Sequence, residues 1–270
     1  MKNKIKVGIV GCGAIGSGIA RSIKSELKKD YKISGLYDTD KTVSSKLAKS
    51  LCETKSIKIS LKSLIKSCDI VIEAVNSISV YDIAKESIKL KKNILVMSSG
   101  QLLNAKDLFS LAKRNGCKII IPSGAISGID AIKASSMINF KKITLTTRKP
   151  ITGFKNDPNF TKKNAGKTNK DIVIFKGSVD KAVKLFPRNI NVAATLSLAC
   201  RDKSKVTVQI ITSSKYKNNS HEIEMIGDSG RITTKTENVI CPDNPKTSYL
   251  AVLSAIATLK QFSSGLFVGT

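Results

Sequence analysis

Residues 5–38 of the chain read IKVGIVGCGAIGSGIARSIKSELKKDYKISGLYD, and this stretch decides the fold. It begins with a short apolar run, after which Gly11, Gly13 and Gly16 form a G-x-G-x-x-G turn. A second apolar run, 31–37, closes it and is followed by Asp38. Between the two runs, apolar residues recur at every fourth position, as on one face of an amphipathic helix: Ile15, Ile19, Ile23 and Leu27. The pattern predicts a strand, a glycine turn, a helix and a second strand.

In this context the glycine turn is typical of a dinucleotide-binding site. The first glycine permits a tight turn, the second lets the backbone approach a pyrophosphate, and the third lets helix and strand pack closely. Ala14 and Ile15 open the helix, whose N-terminus adds amide donors and a positive dipole end. A glycine turn that joins strand and helix without a ligand is the alternative interpretation.

Asp38 lies 22 residues beyond Gly16, at the end of the second predicted strand. A carboxylate there accepts hydrogen bonds from ribose hydroxyls and repels a 2′-phosphate, so we expect NAD as the cofactor. Lys41 is near enough in sequence to neutralise a 2′-phosphate, which leaves NADP open as a second cofactor.

Helical and strand-like patterns continue to alternate up to residue 122, with further strands predicted at 57–59, 69–75, 93–97 and 117–121. This alternation predicts a Rossmann-type, doubly wound parallel sheet. Ala74 and Ser98 lie at the carboxyl ends of two of these strands, where open α/β sheets bind ligands. We expect them either to contact the cofactor or to be ordinary loop residues.

After Pro122 the pattern changes to alternating, β-branched segments, which predict a second α+β domain with a mixed or antiparallel sheet. Its strands are predicted at 142–148, 205–212, 221–227 and 230–235, and its helices at 178–185 and 191–199. An apolar helix is expected at 248–261. We therefore expect a dinucleotide-binding domain of residues 1–122 plus about 246–270, and a substrate and dimerisation domain of residues 123–245.

The net charge of +26 raises the question of nucleic-acid binding. Only six of the 46 basic residues are Arg, and the Lys residues are scattered along the chain. Recognition of bases and phosphates favours the forked guanidinium, so we expect no nucleic-acid partner and a role for the charge in attracting an anionic substrate. No apolar run is long enough for a membrane span and the N-terminus does not resemble a signal peptide, so we expect a cytoplasmic protein without membrane contact.

Six cysteines without a C-x-x-C pair and a single histidine make a metal site improbable. The single histidine, His221, is a candidate catalytic residue, because oxidation of a hydroxyl or an amine needs a group that accepts a proton. A structural or merely exposed histidine is the competing interpretation.

Four segments resemble the L-aspartate dehydrogenase family: IPSGAISGIDA (121–131), FPRNINVAA (186–194), NSHEI (219–223), and EN (237–238) with PKTSYL (245–250). With the glycine turn, the resemblance extends over nearly the whole chain. It implies that His221 is the catalytic acid/base and that Ala125 and Asn191 contact NAD. It also implies a homodimer that supplies iminoaspartate to NAD synthesis.

On this interpretation a hydride passes from Cα of L-aspartate to the nicotinamide, and water converts the resulting iminoaspartate to oxaloacetate and ammonia. Two of these positions also have a purely structural interpretation. The segment around Ala125 suits a hinge, and Asn191 suits a helix N-cap. Only the resemblance chooses Asn191 over Asn189. Rival functions are homoserine dehydrogenase, dihydrodipicolinate reductase and a non-enzymatic, nucleotide-sensing regulator.

Overall fold

The computed structural model of the protein describes residues 3–75, 79–154, 170–186, 190–241 and 244–270. The chain divides into two compact units. Unit 1 comprises Met1–Pro122 and Val252–Phe267, and unit 2 comprises Ser123–Ala251 and Val268–Thr270.

Unit 1 alternates strands and helices along its length. In chain order they are β1 (Ile5–Val10), α1 (Ala14–Lys24), β2 (Tyr31–Tyr37), α2 (Lys41–Ser50), α3 (Leu61–Ser67), β3 (Ile70–Glu73), α4 (Val80–Lys89), β4 (Asn93–Val96), α5 (Lys106–Arg114) and β5 (Ile119–Ile120). The strands form one parallel sheet in the order β2-β1-β3-β4-β5. The direction of winding reverses beside β1, because β2 lies on one side of it and β3 on the other.

In its described residues, unit 2 contains a five-stranded sheet, a two-stranded sheet and three short helices before the last helix of the chain. Its elements are α6 (Ile129–Ser135), β6 (Phe140–Pro150), β7 (Ile172–Ser178), α7 (Val179–Leu185), α8 (Asn191–Ala199), β8 (Val206–Ser213), β9 (Asn219–Gly227), β10 (Gly230–Asn238), β11 (Ile240–Cys241) and β12 (Asn244–Ser248), followed by α9 (Tyr249–Ser263), which continues into unit 1. The large sheet has the order β10-β9-β6-β8-β7 and is mixed, since β6 and β8 are parallel while the other pairs are antiparallel.

These two sheets confirm the predicted fold class. The core of unit 1 is formed by β1, β3 and β4, whose residues are almost all buried on both faces, as in a sheet covered by helices on each side. Within unit 1, α9 packs against the same core, because the hydroxyl of Tyr31 donates to the carbonyl of Leu259 at 2.6 Å.

The predicted strand at 57–59 was wrong. Only Ile57 pairs with the sheet, through a single parallel bridge to Leu36, and Ile59 is 91% exposed. The chain turns into α3 directly afterwards, because Ser60 is the N-cap and accepts a hydrogen bond from the backbone of Ser63. Because α3 is capped at Ser60, the segment before it is too short to form a ladder of hydrogen bonds with β2.

Candidate active site

Backbone packing explains two of the three glycines of the turn after β1. Gly11 has φ +93°, and a Cβ there would lie 2.3 Å from the carbonyl oxygen of Ala74. A Cβ on Gly16 would lie 1.9 Å from the carbonyl oxygen of Gly11. Neither position accepts a side chain, so both glycines are required by how α1, β1 and the residue after β3 pack together.

Gly13 is different, because it is exposed and nothing lies within 4 Å of the position that a Cβ would take. It is the N-cap of α1, and the first turn of that helix carries no acidic residue. Ala14 and Ile15 follow it and are half-buried. An open backbone at an uncapped helix N-terminus is the arrangement that a pyrophosphate needs, so these residues fit a dinucleotide.

Asp38 is tied to the glycine turn, since its Oδ2 accepts a hydrogen bond from the backbone N–H of Cys12 at 2.7 Å. Its Oδ1 accepts from the N–H of Asp40, and the side chain is half-buried. The carboxylate is therefore held at the end of β2, where an adenosine ribose is expected. Burial and the charge of Asp38 raise the pKa of the Cys12 thiol to about 12, so this cysteine stays protonated. Lys41 is the exposed first residue of α2.

Glu73 organises the neighbouring strand ends, a role that sequence analysis missed. The side chain is fully buried and accepts hydrogen bonds from the backbone N–H groups of Val75, Met97 and Ser98 at 2.8–3.1 Å. Burial raises the pKa of Glu73 above its usual value, although these hydrogen bonds oppose the shift. The signal in the sequence was a single acid within the apolar run IVIEAV (70–75). Glu73 holds together the turns that carry Ala74 and Ser98.

Ala74 and Ser98 lie beside each other after β3 and β4. The Ser98 hydroxyl donates to the carbonyl of Val75 at 2.9 Å, and both Ala74 and Ser98 are half-buried. The hydroxyl of Ser98 thus braces the turn, while Ala74 also packs against Gly11. Contact with a cofactor at these two positions stays a prediction.

In unit 2, Ala125 is held by β10. Its carbonyl oxygen accepts hydrogen bonds from the Thr236 hydroxyl and from the Asn238 amide, each at 3.0 Å, and Ala125 itself is buried. The Oδ1 atom of Asn238 is buried without a hydrogen-bond partner among the described residues. These two bonds anchor the carbonyl of Ala125 to β10, within the segment that also suits a hinge.

His221 lies in the buried face of the unit 2 sheet, as the third residue of β9, and is only 5% exposed. Its Nδ1 lies 3.0 Å from the hydroxyl oxygen of Thr147, which is its direct neighbour on β6. Burial and the charge of Lys149 lower the pKa of His221 to about 3. The ring is therefore neutral at physiological pH, which leaves one nitrogen available to accept a proton.

The surroundings of His221 change from apolar to polar along this face of the sheet. Alternate residues of β6 share the face, and Ile143 and Leu145 are followed by Thr147 and then Lys149. Lys149 is half-buried, unlike the exposed lysines at the start of the strand. Sequence analysis did not single out Thr147 or Lys149, because only the register of β6 with β9 brings them to His221.

Asn191 is not a helix N-cap, so that alternative was wrong. Ile190 is the N-cap of α8, no side chain caps the helix there, and Asn191 is its exposed first residue. Asn189, the other candidate, lies outside the described residues together with Pro187 and Arg188.

Two further features concern metals and membranes. Across the described ranges, no group of three or more His, Cys, Asp and Glu residues is arranged to hold a metal ion. No helix in the same part of the chain has both the length and the apolar character to cross a membrane.

Comparisons with known proteins match both halves of the chain. Residues 130–262 match the family described as aspartate dehydrogenase, C-terminal, and residues 11–122 match the NAD binding domain of homoserine dehydrogenase. The L-aspartate dehydrogenase of Methanosarcina mazei is 39% identical over 98% of this chain and 100% of its own length. That of Methanococcoides burtonii is 38% identical with the same two coverages. The crystal structure of aspartate dehydrogenase from Thermotoga maritima superposes with a TM-score of 0.71 at 25% identity, and covers 99% of this chain and 100% of the other.

The glycine turn supplies the first testable prediction. Gly16→Ala places a methyl group against the Gly11 carbonyl, so α1 must shift, and the free energy of unfolding should fall by about 1–3 kcal/mol. Gly13→Ala is the matched control, because its methyl group meets open space and should cost less than about 1 kcal/mol. Thermal unfolding without cofactor measures both.

In fluorescence titrations with NADH, Gly13→Ala should nonetheless bind less tightly, because the methyl group occupies the approach of the pyrophosphate. Equal stability losses in the two variants, or unchanged NADH affinity in Gly13→Ala, would contradict this interpretation.

The second prediction concerns stability at acid pH. The pKa of His221 is lowered from 6.5 to about 3, so between these values the unfolded chain binds a proton that the folded protein does not. Above pH 6.5 the ring is neutral in both states and does not alter the free energy of unfolding, whereas on acidification towards pH 3 this free energy falls by up to about 1.4 kcal/mol per pH unit. His221→Gln lacks this site, so in urea titrations its free energy of unfolding should fall less steeply from pH 6 to 4. Parallel curves for the two proteins would count against a buried, neutral His221.

Proposed function

The chain belongs to the L-aspartate dehydrogenase family, and we propose that it oxidises L-aspartate with NAD to iminoaspartate, which hydrolyses to oxaloacetate and ammonia. One observation carries this proposal: His221 is buried in the part of the chain that matches the aspartate dehydrogenase C-terminal family, where burial and the charge of Lys149 lower its pKa. A neutral imidazole accepts a proton, and a cation suits a dicarboxylate.

In this proposal unit 1 binds the adenosine and pyrophosphate parts of the cofactor. The backbone at Gly11, Gly13 and Gly16, with the amides of Ala14 and Ile15, holds the pyrophosphate, and Asp38 accepts from the ribose hydroxyls. Ala74 and Ser98 contribute at the ends of β3 and β4. Ala125 and Asn191 of unit 2 are assigned to the nicotinamide end. When bound, NAD supplies the acceptor for the hydride. NADP is the alternative cofactor, because the charge of Lys41 can neutralise a 2′-phosphate.

His221 moves the protons of the reaction. The substrate ammonium must lose a proton before a hydride can leave Cα, and the free ring nitrogen of His221 takes this proton and passes it to solvent, which restores the neutral ring. When water adds to the carbon–nitrogen double bond of iminoaspartate, the ring accepts a proton from that water. The same ring then returns a proton to the nitrogen, which leaves as ammonia. Overall, L-aspartate, NAD and one water give oxaloacetate, an ammonium ion, NADH and one proton, which is released to solvent.

We assign Lys149 to one of the two substrate carboxylates. Lys149 shares the face of β6 with Thr147, two residues away, and its positive charge lowers the pKa of His221. A carboxylate beside Lys149 offsets that positive charge, so substrate binding should raise the pKa of His221. The substrate thereby makes its own base stronger.

The proposal predicts a specific substrate. Purified protein should reduce NAD in the presence of L-aspartate, followed as absorbance of NADH, with much lower rates for L-glutamate and L-homoserine. Reduction of NAD with L-homoserine but not with L-aspartate would overturn the assignment in favour of a homoserine dehydrogenase.

Two variants separate the roles of the residues in the same assay. His221→Ala should lower kcat by about 10²- to 10⁴-fold, because it removes the acid/base. Lys149→Met should mainly raise KM for L-aspartate, by about 10- to 100-fold, as expected for a lost charged hydrogen bond. Both variants should retain wild-type affinity for NADH. Unchanged turnover in His221→Ala would remove that residue from the mechanism.

We also propose that the protein is a cytoplasmic homodimer. Four apolar side chains of unit 2 that lie next to one another around β11 and the start of α9 are exposed: Val239, Ile240, Tyr249 and Leu250. Such a patch suits a protein interface. Light scattering should give about twice the chain mass of 29.1 kDa, and a mass of one chain would contradict the dimer.

We propose further that the iminoaspartate feeds NAD synthesis, which labelling of the pyridine ring from aspartate would test.

A further inference from the structure

The hydroxyl of Thr147 lies within hydrogen-bond distance of the His221 ring. The two residues face each other in the antiparallel β6/β9 pair, and their Oγ1 and Nδ1 atoms are 3.0 Å apart. Each side chain is only 5% exposed, so water has little access to this contact. A buried hydrogen bond between cross-strand neighbours holds the ring in one orientation.

The chemistry of this partner matters. A carboxylate at this position would only accept a hydrogen bond, so it would keep a proton on Nδ1 and favour the charged imidazolium. A hydroxyl both donates and accepts, so it pairs with Nδ1 whether or not that nitrogen carries a proton. Thr147 therefore holds the ring in place without requiring a charge on it, which agrees with a histidine that burial keeps neutral.

We propose that Thr147 is a positioning residue: its hydroxyl holds Nδ1 of His221, so that Nε2 is the atom that exchanges protons with the substrate. This inference rests on the proposed function for its catalytic consequence. In the oxidation, an N–H bond of the substrate ammonium breaks, its electron pair stays on the substrate nitrogen, and the proton bonds to Nε2. Nδ1–H donates to Thr147 Oγ1 at that moment. When Nε2 has released its proton, Nδ1–H still donates to Thr147 Oγ1, so the neutral ring keeps the same partner.

The chain offers a matched set of variants. Thr147→Val keeps the shape and the strand preference of threonine but removes the hydroxyl, whereas Thr147→Ser keeps the hydroxyl. Thr146→Val is the control, because it makes the same chemical change one residue away, on the opposite face of β6.

Turnover of L-aspartate is the first readout. Thr147→Val should lower kcat by about 10- to 100-fold, the effect expected for loss of a buried hydrogen bond to an essential group. Thr147→Ser should stay within about threefold of the wild type, and Thr146→Val should match it. NADH affinity should be unchanged in all three. A kcat of Thr147→Val within twofold of the wild type, or equal losses in the Val and Ser variants, would overturn the proposal.

The second readout needs no turnover, because His221 is the only histidine of the chain. In protein labelled with ¹⁵N-histidine, a single pair of ring nitrogen resonances reports the tautomer and the hydrogen bond at Nδ1. Thr147→Val should shift the Nδ1 resonance, while Thr147→Ser and Thr146→Val should leave it near the wild-type position. An unshifted Nδ1 resonance in Thr147→Val would overturn the proposal. If wild-type protein does not oxidise aspartate, the proposed function fails, yet this spectrum still decides whether Thr147 holds the ring.

Discussion

The glycine turn after β1 brings three backbone segments closer together than any side chain would allow. The carbonyl oxygen of Gly11 lies against Gly16 in α1, and the carbonyl oxygen of Ala74 lies against Gly11. This packing directs the N-terminus of α1 and the exposed Gly13 to the carboxyl ends of β1 and β3, where the winding of the sheet reverses. Open α/β sheets bind ligands at such a reversal, so the cofactor half of the proposed function depends on these contacts.

The second half depends on desolvation. The buried face of the unit 2 sheet is apolar at Ile143 and Leu145 and becomes polar only at its end, around Thr147, Lys149 and His221. A histidine in this position is held neutral by burial and by a nearby cation, and its Nδ1 lies 3.0 Å from the hydroxyl oxygen of Thr147. In the proposed function an anionic substrate alters this balance, because its carboxylates compensate the cation and the imidazolium that forms. Burial and the charge of Lys149 thus stabilise the proton-accepting form of the ring.

Much of the fold could be predicted, and the errors have local causes. The parallel sheet of unit 1 could be predicted because short apolar runs alternate with helical segments along the chain, and the helix expected at 191–199 is present as α8. The strand expected at 57–59 was wrong because the helix cap at Ser60 overrides a three-residue alternation. No pattern identified β7, a half-buried strand that pairs with β8 alone, or α6, a helix of seven residues. Short elements and sheet edges carry too few periodic positions to be recognised.

The sequence by itself determined the cofactor turn and the identity of the acid/base candidate. The turn is legible because strand, glycines and helix lie within 34 consecutive residues, 5–38, and His221 stands out as the only histidine. Only the tertiary structure decided the burial, the hydrogen-bond partners and the protonation of these residues. Thr147 is 74 positions from His221, Glu73 is 24 from Met97, and the protonation of the ring depends on burial by the whole sheet. Strand register and desolvation arise from contacts between distant segments, and no local pattern of residues encodes them.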